Sequence, residues 1–566
     1  MTPTEADIMD ITILSAKINT LLSVRNKRSL LFVPIFTAVS PTALAQFDLT
    51  GSVNADVIEQ NIRSEESGVL SLTTLTVTPS VYASYRSKTI RGLWAGTLTH
   101  VDRENDTAGQ TQNYAEYTYS AQWTPFERLL DFQASGALTY RNTDSTNYLL
   151  SDFITNSDSL AKTRSNTLRA NVLVEQNNWV NLQGTASYSD VSSESSVTIG
   201  DTALDNDSYQ INGSVTNGEY ARYLIWELDG AYQNTANNNS SDSDFVTRSA
   251  NGFADIRMSN SWAIRVTARH EANQIEGRLD SATAKREYNS YGAGITYRQN
   301  ENRYISVTLN QSDSDESENS SESFVGLDLK WALSSRTQIN GNYGRRFYGE
   351  SASASIEYNS KHFRSSLSYG EEVTNTSRLL ANPENLGVFV CPVGSTTISN
   401  CFQPDSLSYT PSIDEQFVQL SSLNIEFDDS VILQKRTNLQ VGYDFSRVIW
   451  AFTWLFSEND YLDQNRLQRT LSLGSSLSYQ IGSYTSLNSE INFAKIDGQS
   501  DDNSLDGSSD NWNALIGLSR TIGNNLETSL SITYLDKSGD LSNGNSLFGS
   551  DYTDRRITLS VTYTYQ

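Results

Sequence analysis

The chain has 566 residues, a formal charge of -25, 37% apolar and 10% aromatic residues, nine prolines and two cysteines. Such acidity excludes nucleic acid as a partner, and aromatics spread evenly along the length exclude a disordered chain. No run approaches 18 consecutive apolar residues, so helical membrane spans are excluded too. The apolar share is low for a globule burying both faces of its sheets. It suits a barrel around a wet lumen, where only every second strand position must be apolar.

Taken in order, the N-terminus reads as an export signal displaced inward. Arg25-Asn26-Lys27-Arg28 is the basic part, 30–39 the apolar core, and Ala43-Leu44-Ala45 an A-x-A cleavage site before Gln46. The residues ahead of Arg25 are unusual for such a signal, and a true start nearer Val24 is expected. Residues 1–45 therefore form an extension and signal peptide, and 46–566 the exported body. Residues 1–45 carry +1, which leaves -26 on the body.

From Phe47 onward one unit repeats: an alternating run, a tight turn, a second run, then a longer polar loop. In 131–141, Phe132, Ala134, Leu138 and Tyr140 lie opposite Asp131, Gln133, Ser135 and Arg141. In 222–233, Leu224, Trp226, Leu228 and Tyr232 oppose Glu227 and Asp229; in 262–269, Trp262, Ile264 and Val266 oppose Arg265 and Arg269. The runs 471–481 and 526–534 alternate in the same way.

Eleven tight joints fall near residues 87–88, 124–127, 177–178, 217–218, 259–261, 300–302, 334–335, 359–361, 445–447, 482–483 and 523–525. Between them lie ten longer polar loops, the longest 375–430. Eleven joints separate twelve hairpins, or about 24 strands, with 22–26 as the range. The expectation is an all-β, transmembrane, antiparallel up-and-down barrel with short periplasmic turns and long extracellular loops. Twelve loops are needed, so two remain to be found. Trp123, Trp179, Trp262 and Trp331 sit beside tight turns, where an interfacial aromatic girdle belongs. Alternation begins almost directly after the cleavage site, so no globular plug is expected ahead of the first strand.

Cys391 and Cys401 lie in a Pro-, Gly- and Ser-rich part of 375–430 and read as one local disulfide in an oxidising compartment. Folding inward, this segment narrows the lumen; lying outside, it caps the barrel or binds a partner. Candidate lumen-facing charges are Arg265, Arg269, Glu227, Asp229 and Asp131, which either tune ion preference or brace the wall as salt-bridged struts. His100, His270 and His362 stand singly, so neither a metal site nor an enzyme is expected, and no cofactor. Asp502, Ser504 and Asp506-Gly507 echo half a calcium loop, but Asn513 stands where its final Glu belongs, so a solvated acidic loop is the better reading.

The last run is Ile557, Leu559, Val561, Tyr563 and Tyr565 on one face against Thr and Ser on the other, as in the closing strand of an outer-membrane barrel. Gln566 follows Tyr565, whereas such barrels usually end on the aromatic itself. Together with W-T-P-F-E-R-L-L-D-F-Q-A-S-G-A-L-T-Y-R (123–141) and D-D-S-V-I-L-Q-K-R-T-N-L-Q-V-G-Y-D-F-S-R (428–447), this strand resembles the outer-membrane proteins associated with PEP-CTERM/exosortase and exopolysaccharide systems, also described as β-barrel porins. The resemblance runs from Phe47 to Gln566 and supplies no functional residues. It implies an outer-membrane channel or scaffold for export of exopolysaccharide or a related surface polymer. A general diffusion porin and a surface-binding adhesin acting through long loops are the alternatives. Expected partners are outer-membrane lipid and lipopolysaccharide, the barrel-assembly machinery through the closing strand, and a periplasmic polysaccharide-export component.

Overall fold

The computed structural model describes residues 45–566 except 65–67, 105–110, 127–128, 143–152, 155–159, 176–177, 195–202, 239–243, 276–283, 315–320, 382–386, 394–397, 405, 408, 419–429, 463–465, 501–505, 542–550 and 566. The signal peptide and the calcium-loop echo at 502–504 lie outside the described residues.

Period-two alternation with β-branched and aromatic residues on one face builds strands, and here it builds a closed ring of 24. The ring opens with β1 (Gln46–Ser64), β2 (Gly68–Arg86), β3 (Ile90–Glu104), β4 (Thr111–Phe126), β5 (Leu130–Asn142) and β6 (Leu160–Val174). It continues through β7 (Val180–Ser193), β8 (Asp205–Asn217), β9 (Leu224–Asn237), β10 (Phe245–Arg257), β11 (Trp262–Ile275) and β12 (Ala284–Asn300). Next come β13 (Arg303–Ser314), β14 (Ser321–Ser334), β15 (Thr337–Arg346), β16 (Gly349–Asn359) and β17 (Phe363–Asn375). Two four-residue strands, β18 (Phe389–Pro392) and β19 (Glu415–Val418), form a separate small sheet. The ring resumes with β20 (Val431–Phe445), β21 (Val448–Tyr461), β22 (Arg466–Gly482), β23 (Thr485–Ser500), β24 (Gly507–Ile522), β25 (Leu526–Gly539) and β26 (Tyr552–Tyr565). β17 pairs directly with β20, and β26 closes on β1 with Leu559 opposite Val57. Every pairing is antiparallel, and each strand of the ring pairs on both sides, so no edge is left unpaired.

The eleven turns of the short side fall where expected, each two to six residues long. Two boundaries move: β4 runs on to Phe126, and the turn after Asn217 extends through Tyr223. The two missing loops are 65–67, between β1 and β2, and the aromatic pair Phe347-Tyr348, between β15 and β16.

The outer face is the apolar one. Ile557, Leu559, Val561, Tyr563 and Tyr565 are each 40–69% exposed, and Leu49, Val53, Trp262, Ile264, Val266 and Leu530 share their situation around the ring. Trp123, Trp179 and Trp262 are exposed beside short turns, and Trp331 is half-buried. A continuous apolar belt of this size is incompatible with water. On a closed sheet with every backbone group paired it is a lipid-facing surface. The chain is an outer-membrane β-barrel.

Charge divides along the same axis. The twelve connections of the long side carry -26, the strands -2 and the eleven short turns +2, which together equal the -26 of the body. The eleven connections other than 376–430 hold -20 of it, so most of the net charge belongs to the extracellular side.

At β12 the ring turns a sharp corner. Gly292 and Gly294 take inward positions there, and a Cβ on Gly294 would lie 1.9 Å from the Val307 carbonyl oxygen. Without side chains at these two positions, Thr267 of β11 reaches across β12 to Asn310 of β13, Oγ1 to Oδ1 at 2.9 Å. Gly294→Ala is therefore expected to strain backbone on both strands and cost about 1–3 kcal/mol. A fall in the urea midpoint of the vesicle-inserted barrel checks it.

Candidate functional site

The inner face is polar, as a wet lumen requires, but parts of it are buried. Gln440, Asn438, Thr453, Ser472 and Asn511 point inward and lie within 4% of full burial. Their cover includes the barrel's own longest connection, 376–430. It leaves the outer end of β17, enters the lumen and touches inward-facing wall residues both at the outer end and toward the periplasmic end.

At the outer end the connection begins with α1 (Thr376–Ala381), a helix whose Arg378 N–H is capped by the Asn375 side-chain oxygen at 3.0 Å. This helix reaches the wall on β6–β10, far around the ring from β17. Asn206 Nδ2 of β8 donates to Ser377 Oγ. Arg378 donates to Thr235 Oγ1 (3.1 Å), Thr247 Oγ1 (3.3 Å) and the Phe245 carbonyl (2.9 Å), and stacks 3.9 Å from the Phe245 ring. Burial pushes its guanidinium well down from the ordinary arginine value, against the pull of Glu372.

In the middle of the connection's sequence, β18 pairs with β19, Cys391 opposite Gln416, and Val390 exchanges two 2.9 Å backbone hydrogen bonds with Phe402. Cys391 and Cys401 are joined by a disulfide. Closing so short a loop removes about 3 kcal/mol of chain entropy from the unfolded state. Val388, Phe389 and both cysteines pack on Ala451 and Ile449, inward-facing residues of β21. Gly442 of β20 leaves the space that Phe389, Val388 and Gln403 occupy.

At the periplasmic end the wall holds the connection through side chains at the ends of several strands. Arg86 Nη2 of β2 pairs with Asp414 at 3.0 Å, and Ser120 of β4 donates to the Ile413 carbonyl at 3.3 Å. Asn359 of β16 donates to the Pro404 carbonyl at 2.9 Å; Arg364 of β17 donates to that of Ser406 and lies 5.2 Å from the Phe417 ring. Glu415 accepts from the Tyr409 hydroxyl (2.6 Å) and the Ser412 N–H (3.1 Å). Burial works to raise its carboxyl, but these bonds outweigh it and hold the group below the usual range. The connection is thus a stopper bonded to the wall at both ends, with its disulfide-closed part packed against the wall beside the β20–β21 turn.

All five charges singled out in the sequence occupy inward positions. Arg265, Arg269 and Asp229 line one recess near the β12 corner, and Glu227 stands two residues from Asp229 on the same face of β9. Asp131 lies apart on β5, where it accepts from Gln122 and Asn171 side chains. The arginines act chiefly as braces. Arg265, 1% exposed, donates to Asp255 at 2.7 and 2.8 Å and to Asp328 at 2.6 Å; Arg298 joins Asp255 at 2.8 Å. Arg269 lies 3.8 Å from Glu271, which Arg346 engages at 2.6 and 3.0 Å. Among the described residues no cluster of His, Cys, Asp or Glu is placed to hold a metal ion.

The gripping residues Arg86, Asn359, Arg364 and Arg378 were missed by reasoning from sequence. One signal does mark the docking wall. The run V-I-W-A-F-T-W-L-F (448–456) is apolar on both faces, which a strand facing lipid on one side and water on the other has no use for.

No family model matches the chain, and no curated protein matches it. Among solved structures, the FrpB iron transporter from Neisseria meningitidis (F3-3 variant) aligns over 92% of this chain and 82% of its own, at 9% identity and a TM-score of 0.42. The siderophore receptor PirA from Pseudomonas aeruginosa aligns over 93% and 82% (9% identity, TM-score 0.36). PirA from Acinetobacter baumannii aligns over 91% and 80% (10%, 0.38). Scores at this level assign neither cargo nor mechanism.

Proposed function

We propose that this barrel is a gated outer-membrane channel, closed at rest by residues 376–430, and that it exports a hydrophilic surface polymer of the exopolysaccharide kind. One observation carries the gating: a single connection enters the lumen from the outer end and is bonded to inward-facing residues at the periplasmic end. A general diffusion porin has no use for such a stopper. The polymer reading draws on the inner wall, where amides and hydroxyls such as Asn340, Asn342, Ser353 and Ser355 line an unfilled recess. It agrees with the resemblance to exopolysaccharide-associated barrels.

Single-channel recording of the refolded protein with and without reductant tests this. Wild type is expected to be nearly silent. Reduction, or the Cys391→Ser/Cys401→Ser pair, is expected to raise the frequency of brief large openings by loosening the middle of the stopper. The wall bonds at both ends remain, so the openings stay transient. Steady wide conductance from oxidised wild type would sink the gated reading.

A further inference from the structure

Where the stopper is not attached, the periplasmic mouth holds a recess of about 920 Å³. It is bordered by the short turns of β8–β9, β12–β13 and β14–β15 and by the adjoining ends of β7 and β10. Four arginines line it, Arg222, Arg257, Arg298 and Arg303, against two carboxylates, Glu219 and Glu301. Two of the four are committed. Arg298 holds Asp255, and Arg303 donates to the Ala332 and Leu333 carbonyls. Arg222 and Arg257 are exposed, and among the described residues neither makes an ion pair.

Two independent features say what the recess takes. The first is local charge: on a body of net -26 this recess sets four guanidiniums against two carboxylates, so an anion approaching from the periplasm meets an attractive face. The second is direction. Ile225, Arg257 and Arg298 sit on the inward faces of β9, β10 and β12, and Arg298 shares Asp255 with Arg265 of the lumen wall. The recess therefore opens into the lumen, which a folded protein's surface cannot enter and a thin flexible chain can.

We infer that this recess is the loading site for a linear polymer bearing carboxylates, a polyuronate, with Arg222 and Arg257 pairing its charges. Guanidinium forks match carboxylates bidentately and keep their charge at any periplasmic pH. The inference rests on the reading of the barrel as a polymer conduit and narrows its cargo to an acidic polysaccharide.

Titration calorimetry on the full-length, detergent-folded protein at low ionic strength tests it, with a short oligouronate as probe. Binding is expected, and the Arg222→Gln/Arg257→Gln pair is expected to weaken it about tenfold or more while the barrel keeps its heat-modifiable migration. Arg222→Lys/Arg257→Lys is expected to restore part of it. Equal binding of a neutral oligoglucan, or unchanged binding by the glutamine pair, overturns the inference. Tighter binding of oligoglutamate with the same arginine dependence also overturns it, in favour of an acidic segment of a periplasmic protein. Binding is measured on the closed barrel, so the two readings fail separately. A barrel that binds oligouronate but never conducts defeats the conduit, and one that conducts without binding defeats the loading site.

Discussion

Excising residues 376–430 and joining Asn375 to Val431 by a tight loop is expected to convert a nearly silent barrel into a steady, wide, cation-selective pore. The graft is geometrically mild, because Asn375 and Val431 are already register partners at the outer end of the β17–β20 pair. No ring pairing involves the excised residues, so the wall stays closed. What is lost is the stopper: the α1 grip on β8–β10, the packing of Phe389 on β20 and β21, and the Arg86–Asp414 and Asn359–Pro404 attachments. A 24-stranded wall encloses a lumen far wider than side chains can fill. Conductance should therefore rise by an order of magnitude or so. The excised segment carries -6, which leaves -20 on the remaining extracellular connections. That field concentrates cations at the outer mouth, so the reversal potential in a salt gradient should favour the cation and weaken as salt screens the mouth. A folded, inserted deletion barrel as quiet as wild type would show that something other than this connection closes the lumen.

The ring was legible in the sequence because two local signals repeat along its length. Alternation marked the wall, and polar turn residues marked the short side, which was enough to count 24 strands. The loops that escaped notice lack that chemistry. Phe347-Tyr348 is a two-residue aromatic connection, with the left-handed φ of 118° left to Gly349. Residues 65–67 are too short to break a long alternating run. The inward course of 376–430 was harder, since its own composition fits a surface loop equally well. Its destination was written elsewhere, in the double-faced apolar runs at 431–433 and 448–456 that await a partner on the lumen side. The ion pairs were not legible at all. Arg265 finds Asp255 one strand away and Asp328 three strands away, and only the glycine corner at 292 and 294 brings the second within reach.

That corner is where a single substitution should hurt most. Asp255 is fully buried and accepts from Arg265 Nε and Nη2, Arg298 Nη2 and Thr296 Oγ1, all within 3.0 Å. Asp255→Ala would leave two cations against Phe253 and Tyr304 with only the half-exposed Asp328 to share. Removing one partner of a buried ion pair costs about 3–5 kcal/mol, because the other charge stays behind without water. The double change Asp255→Ala/Arg265→Met removes donor and acceptor together and should recover much of that loss, leaving Arg298 able to turn toward the lumen. By contrast, Glu458→Gln in the more exposed Lys435–Glu458–Arg469 group should cost under about 1 kcal/mol. Urea unfolding in vesicles ranks the three. If Asp255→Ala unfolds with wild type, or the double variant is no better than the single, the cluster is not the brace its geometry describes. The same pair separates structure from transport: introduced into the 376–430 deletion, it should lower stability while leaving ion selectivity to the acidic outer mouth.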